Sequence, residues 1–364
     1  MPLSKSTSIF LFFLASLFLL LQCRKPDSGF RVIGYFSGPT EMVDSIPVEK
    51  LTHLIFCFGH LKGNRLDIGS AADSASIKKM VGLKSRNPGL KVMLSLGGWG
   101  GCKTCSDVFN TSTGRTEFAQ SVREITAYFK TDGIDLDWEY PGIQGPPGHP
   151  FRKEDRENFT ALLKALRQHN GRKFTISFAA GGFTTFVESC AEWKKVIRYT
   201  DFINVMSYDL VHGYSKVSGH HTPLYSTPQQ TESTDHVVQL LLETGVPADQ
   251  IIIGAAFYGR FFKIDEGAPV DLYQPCHFSH GYSFKHSTDS ISVENGFERR
   301  WDTLAKAPYA INIQRRLLAS YDDEKSIALK TKYAKEHRLG GIMFWQLADD
   351  LSRGGLLDVI HANK

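Results

Sequence analysis

The sequence lacks a strong excess of charge of either sign. Its 42 Lys and Arg residues stand against 38 Asp and Glu residues, a formal net charge of +4 over 364 residues. No basic run is interleaved with aromatic side chains, which argues against nucleic acid as a partner. Ser/Thr/Pro-rich linkers and internal repeats are also missing. With 42% hydrophobic and 22% charged residues, the chain suits a globular protein with one α/β barrel or two smaller domains.

The apolar run at residues 9–21 is too short to span a membrane comfortably. It follows Lys5, and we therefore expect residues 1–23 to form a secretory signal peptide. The segment ends in Leu-Leu-Gln-Cys23, which resembles a loose bacterial lipobox, in which the cysteine is acylated. Gln22 stands where a small residue is usual. Two alternatives stay open: a secreted protein, or a lipoprotein anchored to the outer cell surface through Cys23.

Cysteines are few, and their number is odd once Cys23 is set aside. Cys57 lies in an apolar run, which predicts a buried thiol. Cys102 and Cys105 are separated by two residues and could close a small disulfide loop, which an exported protein permits. Neither further zinc ligands at suitable spacing nor the rest of a thioredoxin pattern accompanies them. We therefore expect no metal and no cofactor.

Residues 132–141 read DGIDLDWEYP, in which acidic and bulky apolar residues alternate. The alternation predicts a β-strand with Asp135, Asp137 and Glu139 on one face and the apolar residues on the other. Three carboxyl groups spaced ~6.7 Å apart resist joint ionisation, so such a row is costly unless the repulsion is useful. A solvated acidic strand is the alternative, but surface strands usually mix both charge signs. Because paired acids are the usual tools of glycoside cleavage, the row predicts a glycosidase.

The same stretch matches every fixed position of the pattern DxxDxDxE, and the chain resembles glycoside hydrolase family 18, which contains many chitinases and chitinase-like lectins. The resemblance can be followed from about Arg31 to about Leu356. It implies a (β/α)8 TIM barrel of the α/β class. It also implies a small α+β insertion between strands 7 and 8, as in bacterial members of this type.

The hydrophobic pattern agrees with a barrel, because strand-like runs alternate with helix-like ones. The predicted strands are 32–36, 52–58, 91–95, 134–138, 174–179, 202–207, 251–257 and 341–345. The predicted helices are 74–85, 115–130, 153–169, 229–243 and 324–337. Residues 261–319 are far longer than an ordinary barrel connection. We assign them to the insertion, and residues 31–260 and 320–358 to the barrel.

Barrel active sites form at the C-terminal ends of the strands. There the chain resembles the family's SxGG element at residues 95–98, its M-x-Y-D element at 206–209 and its YGR element at 258–260. Trp99 beside the paired glycines offers an apolar platform for a sugar face, and the family places an indole beneath the sugar at the position of Trp345. The resemblance implies a substrate-binding set of Tyr35, Phe58, Trp99, Tyr140, Met206, Asp209, Tyr258, Arg260 and Trp345.

Three histidines follow the sixth strand: His212, His220 and His221. Histidines at this density are candidate zinc ligands. The stretch also resembles the family's GHxxPLY loop, and we favour that interpretation.

The catalytic assignment combines geometry with the resemblance. Glu139 is expected as the last strand residue and therefore as the general acid, with Asp137 one pleat deeper. In this family catalysis is substrate-assisted: the 2-acetamido oxygen of the sugar attacks its own anomeric carbon. The resemblance implies that Asp137 holds the acetamido N–H and Tyr208 its oxygen. Asp135 would supply a buried charge that biases the proton toward Asp137.

The predicted function is that of a monomeric chitinase acting on chitin or chitooligosaccharides. It would cut β-1,4 linkages between N-acetylglucosamine units with retention, through an oxazolinium intermediate. One alternative is an endo-β-N-acetylglucosaminidase acting on N-glycans. Another is a chitin-binding lectin without catalysis, although such relatives typically lose the terminal Glu of the motif and Glu139 is present.

Overall fold

The computed structural model describes residues 29–364, and the predicted signal segment with Cys23 lies outside them. The strands in this part of the chain are β1 (Arg31–Phe36), β2 (His53–Lys62), β3 (Arg65–Asp67), β4 (Lys91–Gly97), β5 (Gly133–Asp137), β6 (Thr175–Gly181), β7 (Phe202–Met206), β8 (Ile251–Ala256), β9 (Tyr258–Ile264), β10 (Cys276–Ser283), β11 (Glu298–Asp302), β12 (Ala307–Asn312), β13 (Leu317–Tyr321) and β14 (Gly341–Trp345).

The α-helices of the same residues are α1 (Ala71–Gly82), α2 (Cys105–Phe109), α3 (Ser112–Phe129), α4 (Asp155–Asn170), α5 (Thr184–Ser189), α6 (Trp193–Val196), α7 (Thr234–Glu243), α8 (Ser287–Ser290), α9 (Glu324–Glu336) and α10 (Leu356–Asn363). None of these helices is long and apolar enough to cross a membrane.

Eight parallel strands of the described chain close into a barrel. Their order is β1, β14, β8, β7, β6, β5, β4 and β2, and β1 also pairs with β2, which completes the ring. Helices connect most of the successive strands. The predicted (β/α)8 barrel is confirmed.

The core has two layers, because alternate residues of each barrel strand point inward and outward. Inward residues such as Ile33, Ile55 and Met343 fill the barrel. Outward residues such as Leu54 and Ile342 pack against the helices. Cys57 is buried in the inner layer, as its apolar surroundings predicted.

Several predicted boundaries are wrong by a few residues, and capping explains one of them. Helix α7 begins at Thr234 rather than at 229, because the Ser233 side chain accepts a hydrogen bond from the His236 N–H and caps the helix there. Glu139 was predicted as the last strand residue, and this is wrong: strand β5 ends at Asp137, and Glu139 lies two residues beyond it. Trp138 turns outward and packs against Phe109 and Phe159.

A second, antiparallel sheet occupies the connection between β8 and α9, in the order β10, β9, β13, β12, β11. The predicted insertion 261–319 falls inside this segment, which is mainly sheet with the single turn of helix α8. One face carries Arg260, Phe262 and Ile264, and the opposite face carries Phe261, which packs with Tyr282. Arg260 at the start of β9 points back toward the barrel, where it meets Asp209.

Candidate active site

Three carboxyl groups follow one another at the C-terminal end of β5. Asp135 and Asp137 lie on the strand and are buried, and Glu139 follows it and is half-buried. The side chains of Asp135 and Asp137 share the inner side of the strand, whereas Ile134 and Leu136 belong to the outer core. The local alternation of the sequence therefore aims Asp135 and Asp137 into the barrel, and Glu139 continues the row from the loop beyond the strand.

Asp135 is fully buried, at 0% exposure, and is surrounded by donors. Its Oδ2 accepts from the Tyr35 hydroxyl at 3.0 Å and from Ser95 Oγ at 2.8 Å. Its Oδ1 accepts from Ser177 Oγ at 2.6 Å and from Asn204 Nδ2 at 3.2 Å. Burial raises the pKa of Asp135, but these hydrogen bonds oppose the rise because they stabilise the ionised form. The surroundings suit a carboxylate.

Asp137 is in the opposite situation. Burial, and then the charges of Glu139 and Asp135, raise its pKa well above the usual range. Its Oδ1 has no hydrogen-bond partner among residues 29–364. A buried carboxyl oxygen without a partner is costly, so this atom is free to bind a donor or to share a proton.

Glu139 has a pKa raised to about 7, chiefly by burial and further by the negative charge of Asp209, while a hydrogen bond with Tyr140 opposes the rise. A carboxyl group with a pKa near neutrality is suited to donate a proton and take it back. The β5 end thus combines an acid enclosed by hydrogen-bond donors, a buried acid with an unpartnered oxygen and an acid with a pKa near neutrality.

Asp209 lies three residues beyond the end of β7, with a left-handed backbone at φ 57°. Its carboxylate accepts from the Tyr258 hydroxyl at 2.8 Å and from the guanidinium of Arg260. His221 Nδ1 lies 3.5 Å from Oδ1. Burial works against the charge, but His221 and Arg260 together lower the pKa of Asp209 well below its usual range. Asp209 is therefore a fixed anion.

Tyr208 stands next to this anion and is half-buried. Burial and the charges of Asp137 and Asp209 raise its pKa well above the usual range, which keeps the phenol protonated. Within hydrogen-bonding reach, the described residues offer its hydroxyl the sulfur of Met343 at 3.9 Å, a weak acceptor. The hydroxyl can therefore donate to a ligand.

Aromatic side chains form the floor and the rim. Trp345 at the end of β14 stacks on Phe58, with ring centroids 5.5 Å apart and planes 16° apart, and lies 6.0 Å from Tyr35. Trp99 at the rim is 53% exposed and contacts Tyr140 and Tyr214 at centroid distances of 6.3 and 6.4 Å. Flat apolar surfaces of this kind suit the faces of sugar rings.

The paired glycines at the end of β4 are required because neighbouring atoms leave no room for a side chain at either position. A Cβ on Gly97 (φ 113°) would lie 2.2 Å from the Asp137 carbonyl oxygen, and one on Gly98 (φ 79°) would lie 2.5 Å from the Phe58 ring. Gly98 N–H donates to that carbonyl at 2.9 Å. The glycines therefore bring β4 close to the acid row.

The structure thus brings together the predicted residues from six barrel strands and from β9. Met206 and Tyr140 lie beside this group and are half-buried. Sequence reasoning missed the roles of Ser177 and Asn204. The available signal was a single polar residue at an inward position of an otherwise apolar strand. It also missed the exposed Tyr214.

The remaining histidines and cysteines have other surroundings. His220 Nε2 lies 3.1 Å from Asp302 Oδ2. Among residues 29–364, no group of three His, Cys, Asp or Glu side chains is placed to hold a metal ion. Cys102 and Cys105 form a disulfide, in the loop that carries Trp99.

Comparison with known proteins gives a consistent result. Residues 31–350 match the model of the glycosyl hydrolases family 18. Chitinase A1 of Niallia circulans is 34% identical over 304 residues, which are 77% of this chain and 43% of that protein. Oviduct-specific glycoprotein of Mus musculus is 30% identical over 371 residues, 94% of this chain and 50% of that protein. The chain thus spans about half the length of these curated relatives.

Among solved structures, a glycoside hydrolase family 18 N-acetylglucosaminidase from Paenibacillus barengoltzii superimposes with a TM-score of 0.84 at 34% identity. The match covers 92% of this chain and 100% of that one.

Proposed function

Because the chain belongs to the glycosyl hydrolases of family 18, we propose that it hydrolyses β-1,4 bonds between N-acetylglucosamine units of chitin and chitooligosaccharides. The observation that carries this proposal is the acid row, in which Asp135 is held by donors while Asp137 and Glu139 have raised pKa values. The chitinase among its relatives supports the substrate class.

In the proposed first step, Glu139 gives its proton to the glycosidic oxygen as the bond to the anomeric carbon breaks. The acetamido oxygen of the same sugar forms a new bond to that carbon, which gives a cyclic oxazolinium ion. In the second step, Glu139 takes a proton from a water molecule that attacks the anomeric carbon, while the bond between that carbon and the acetamido oxygen breaks and the acetamido group is restored. Two inversions leave the product with the original β configuration.

Asp137 is the proposed partner of the acetamido N–H, because its buried Oδ1 accepts no hydrogen bond from any of the described residues. As the ring closes, the N–H becomes more acidic and its hydrogen bond to Asp137 strengthens, which stabilises the transition state more than the ground state. The negative charge of Asp135 behind it contributes to the raised pKa of Asp137. Tyr208 would donate to the acetamido oxygen.

The sugar at the cleavage point would rest on Trp345, backed by Phe58 and Tyr35. Asp209, fixed by Tyr258 and Arg260, would accept from a sugar hydroxyl. Trp99 and Tyr140 would contact further sugars at the rim, and Met206 would line the floor. We further propose that the sheet of β9 to β13 forms one wall of this groove.

Outside the active site, we propose that the protein is exported and acts as a monomer. It would then be secreted or held at the outer surface through a lipid on Cys23. Neither nucleic acid nor a cofactor is part of the proposal.

The direct test is digestion of N-acetylglucosamine oligomers of two to six units, with separation of the products and Glu139→Gln as the blank. Shorter N-acetylglucosamine oligomers should appear with the unchanged protein alone. Binding without cleavage by either protein would favour the lectin alternative. Release of N-glycans without attack on the oligomers would favour the endo-β-N-acetylglucosaminidase.

A further inference from the structure

A buried ion pair lies behind the Asp209 side of the site and has no part in the mechanism above. Lys330 on α9 places Nζ 2.8 and 2.7 Å from the two carboxylate oxygens of Asp322. The same Nζ donates to Thr222 Oγ1 at 2.5 Å. Both charged side chains are 0% exposed. The three residues, here called the Lys330 cluster, come from α9, from the residue after β13 and from the loop after β7.

The Lys330 cluster is bonded to the backbone of two barrel strands at their C-terminal ends. Thr222 Oγ1 donates to the carbonyl of Ser207 at 3.1 Å, directly after β7. Asp322 Oδ2 accepts from the N–H of Ala256 at 3.1 Å, the last residue of β8. Ser207 Oγ in turn donates to the Gly254 carbonyl and accepts from its N–H, both at 3.0 Å. The two strand ends are thus fixed to each other and to α9.

These strand ends lead straight into the site. Ser207 precedes Tyr208 and Asp209, and Ala256 is two residues before Tyr258. Asp209 holds a left-handed backbone, φ 57°, which a residue with a side chain keeps only when its surroundings impose it. Its hydrogen bond with Tyr258 joins the two segments at 2.8 Å. Any relative movement of the two strand ends would shift the Tyr208 hydroxyl and the Asp209 carboxylate together.

We propose that Lys330, Asp322 and Thr222 are positioning residues that set Tyr208 and Asp209 for catalysis, an inference that rests on the function proposed above. A buried ion pair is seldom more stable than a well-packed apolar replacement, so stability alone does not account for it. The ion pair fixes geometry instead, because the carboxylate and the threonine hydroxyl each hold one backbone group at a fixed distance.

Thr222 offers a matched pair of substitutions. Thr222→Val keeps the shape but removes the hydroxyl between Lys330 and the Ser207 carbonyl, whereas Thr222→Ser keeps the hydroxyl. We expect kcat on N-acetylglucosamine oligomers to fall at least tenfold in Thr222→Val, because a misplacement of about 1 Å can lower rates by ~10²-fold. KM should rise as well, because Asp209 also binds the sugar, whereas Thr222→Ser should stay within about twofold of the unchanged protein in both constants, if the effect is one of positioning.

Loss of stability is controlled with Ile327→Ala, which opens a cavity on the buried face of the same helix and removes none of the hydrogen bonds of the cluster. Thr222→Val within twofold of the unchanged kcat would overturn the inference. So would an equal loss of kcat in Ile327→Ala at a matched fall in Tm, or an equal loss in Thr222→Ser.

Crystal structures of Thr222→Val and Thr222→Ser give a second readout that does not depend on turnover. Displacement of Asp209, or loss of its bond to Tyr258, is expected in the valine variant alone. An undisturbed Asp209 in both would overturn the positioning role. A protein that cuts no N-acetylglucosamine oligomer would instead overturn the proposed function, and the structures would still decide whether the cluster fixes Asp209.

Discussion

Glu139 and Asp135 are four residues apart, and their surroundings differ enough to give them different chemistry. Asp135 is enclosed by hydroxyl and amide donors, and Glu139 has a pKa raised to about 7 by burial and by Asp209. Separated environments of this kind are how one site provides both a charge and a proton. The immediate surroundings of each carboxyl group therefore determine its part in catalysis.

Glu139→Gln should keep the fold and the binding of sugar but reduce turnover by several orders of magnitude. The amide preserves the shape and removes the proton, and general acid catalysis is worth ~10²–10⁴ or more when protonation is essential. Steady-state kinetics on an oligomer checks the loss of turnover, and calorimetric binding to the same oligomer checks that binding is retained. A variant that retained a tenth of the turnover would exclude Glu139 as the acid.

The pKa of Glu139 sets the pH dependence. The acid must be protonated to act, so kcat/KM should fall as the pH rises through about 7. Because the Asp209 charge contributes to the raised pKa, Asp209→Asn should move this alkaline limb to lower pH as well as weaken binding. A profile that stays flat well above pH 7 would contradict the assigned proton donor. An unmoved limb in Asp209→Asn would exclude the Asp209 contribution.

The sequence predicted the acid row because alternation determines on which side each carboxyl group lies. It did not predict Ser177 and Asn204 as donors to Asp135, since Ser177 lies opposite Asp135 only once β5 pairs with β6, and Asn204 lies one strand further away, on β7. Partners of that kind are determined by strand pairing, which no local pattern contains.

The residue at which each barrel strand ends matters more for the active site than the strand itself. The eight barrel strands could be predicted because buried parallel strands are short apolar runs. The end of β5 could not, because the alternation continues to Glu139 while pairing with β6 stops at Leu136. Glu139 therefore projects from the loop above the strand, which leaves it half-buried rather than enclosed.

Strand β14 contributes the floor through Trp345. Trp345→Ala should weaken binding and catalysis together, since the stack of Phe58 and Trp345 positions the sugar. The loss should be ~1–3 kcal/mol if the sugar contact resembles other buried aromatic contacts. Trp345→Phe, which keeps a flat ring, is the matched control. Affinity within about twofold in the alanine variant would reduce Trp345 to a core residue.

Residues 29–364 form a barrel and a sheet inserted between its seventh and eighth strands. The long break in the β/α rhythm is the feature that indicated an insertion at residues 261–319, since barrel connections are usually short. Its strands could not be predicted from the sequence. The exposed strands β10 and β11, which contain His280 and Arg299, show no clear alternation of polar and apolar residues. Strands β10 and β13 pair with β9, which itself continues from the barrel, and β12 and β11 are added in turn beyond β13.

Export is a prediction about residues outside the described part of the chain. If Cys23 carries lipid, the protein should be found in the membrane fraction, and Cys23→Ser should release it or block its processing. Intact-mass measurement of the mature protein decides between the alternatives. An unmodified N-terminus downstream of Cys23 would rule out the anchor and leave plain secretion.

In the proposed mechanism, the substrate's own acetamido group, and not a protein carboxylate, attacks the anomeric carbon. Asp137 is buried at the end of β5, only two residues before Glu139, and cannot approach the sugar freely, and Asp209 is held by Arg260 and Tyr258. Fully deacetylated chitosan should therefore resist cleavage even where it binds.

The most direct test is time-resolved NMR of a partly deacetylated chitosan during digestion, because it reports both the sugar at each new reducing end and its first anomer. Every new reducing end should be N-acetylglucosamine and should appear first as the β-anomer. New reducing ends on glucosamine, or an initial α-anomer, would contradict attack by the acetamido group.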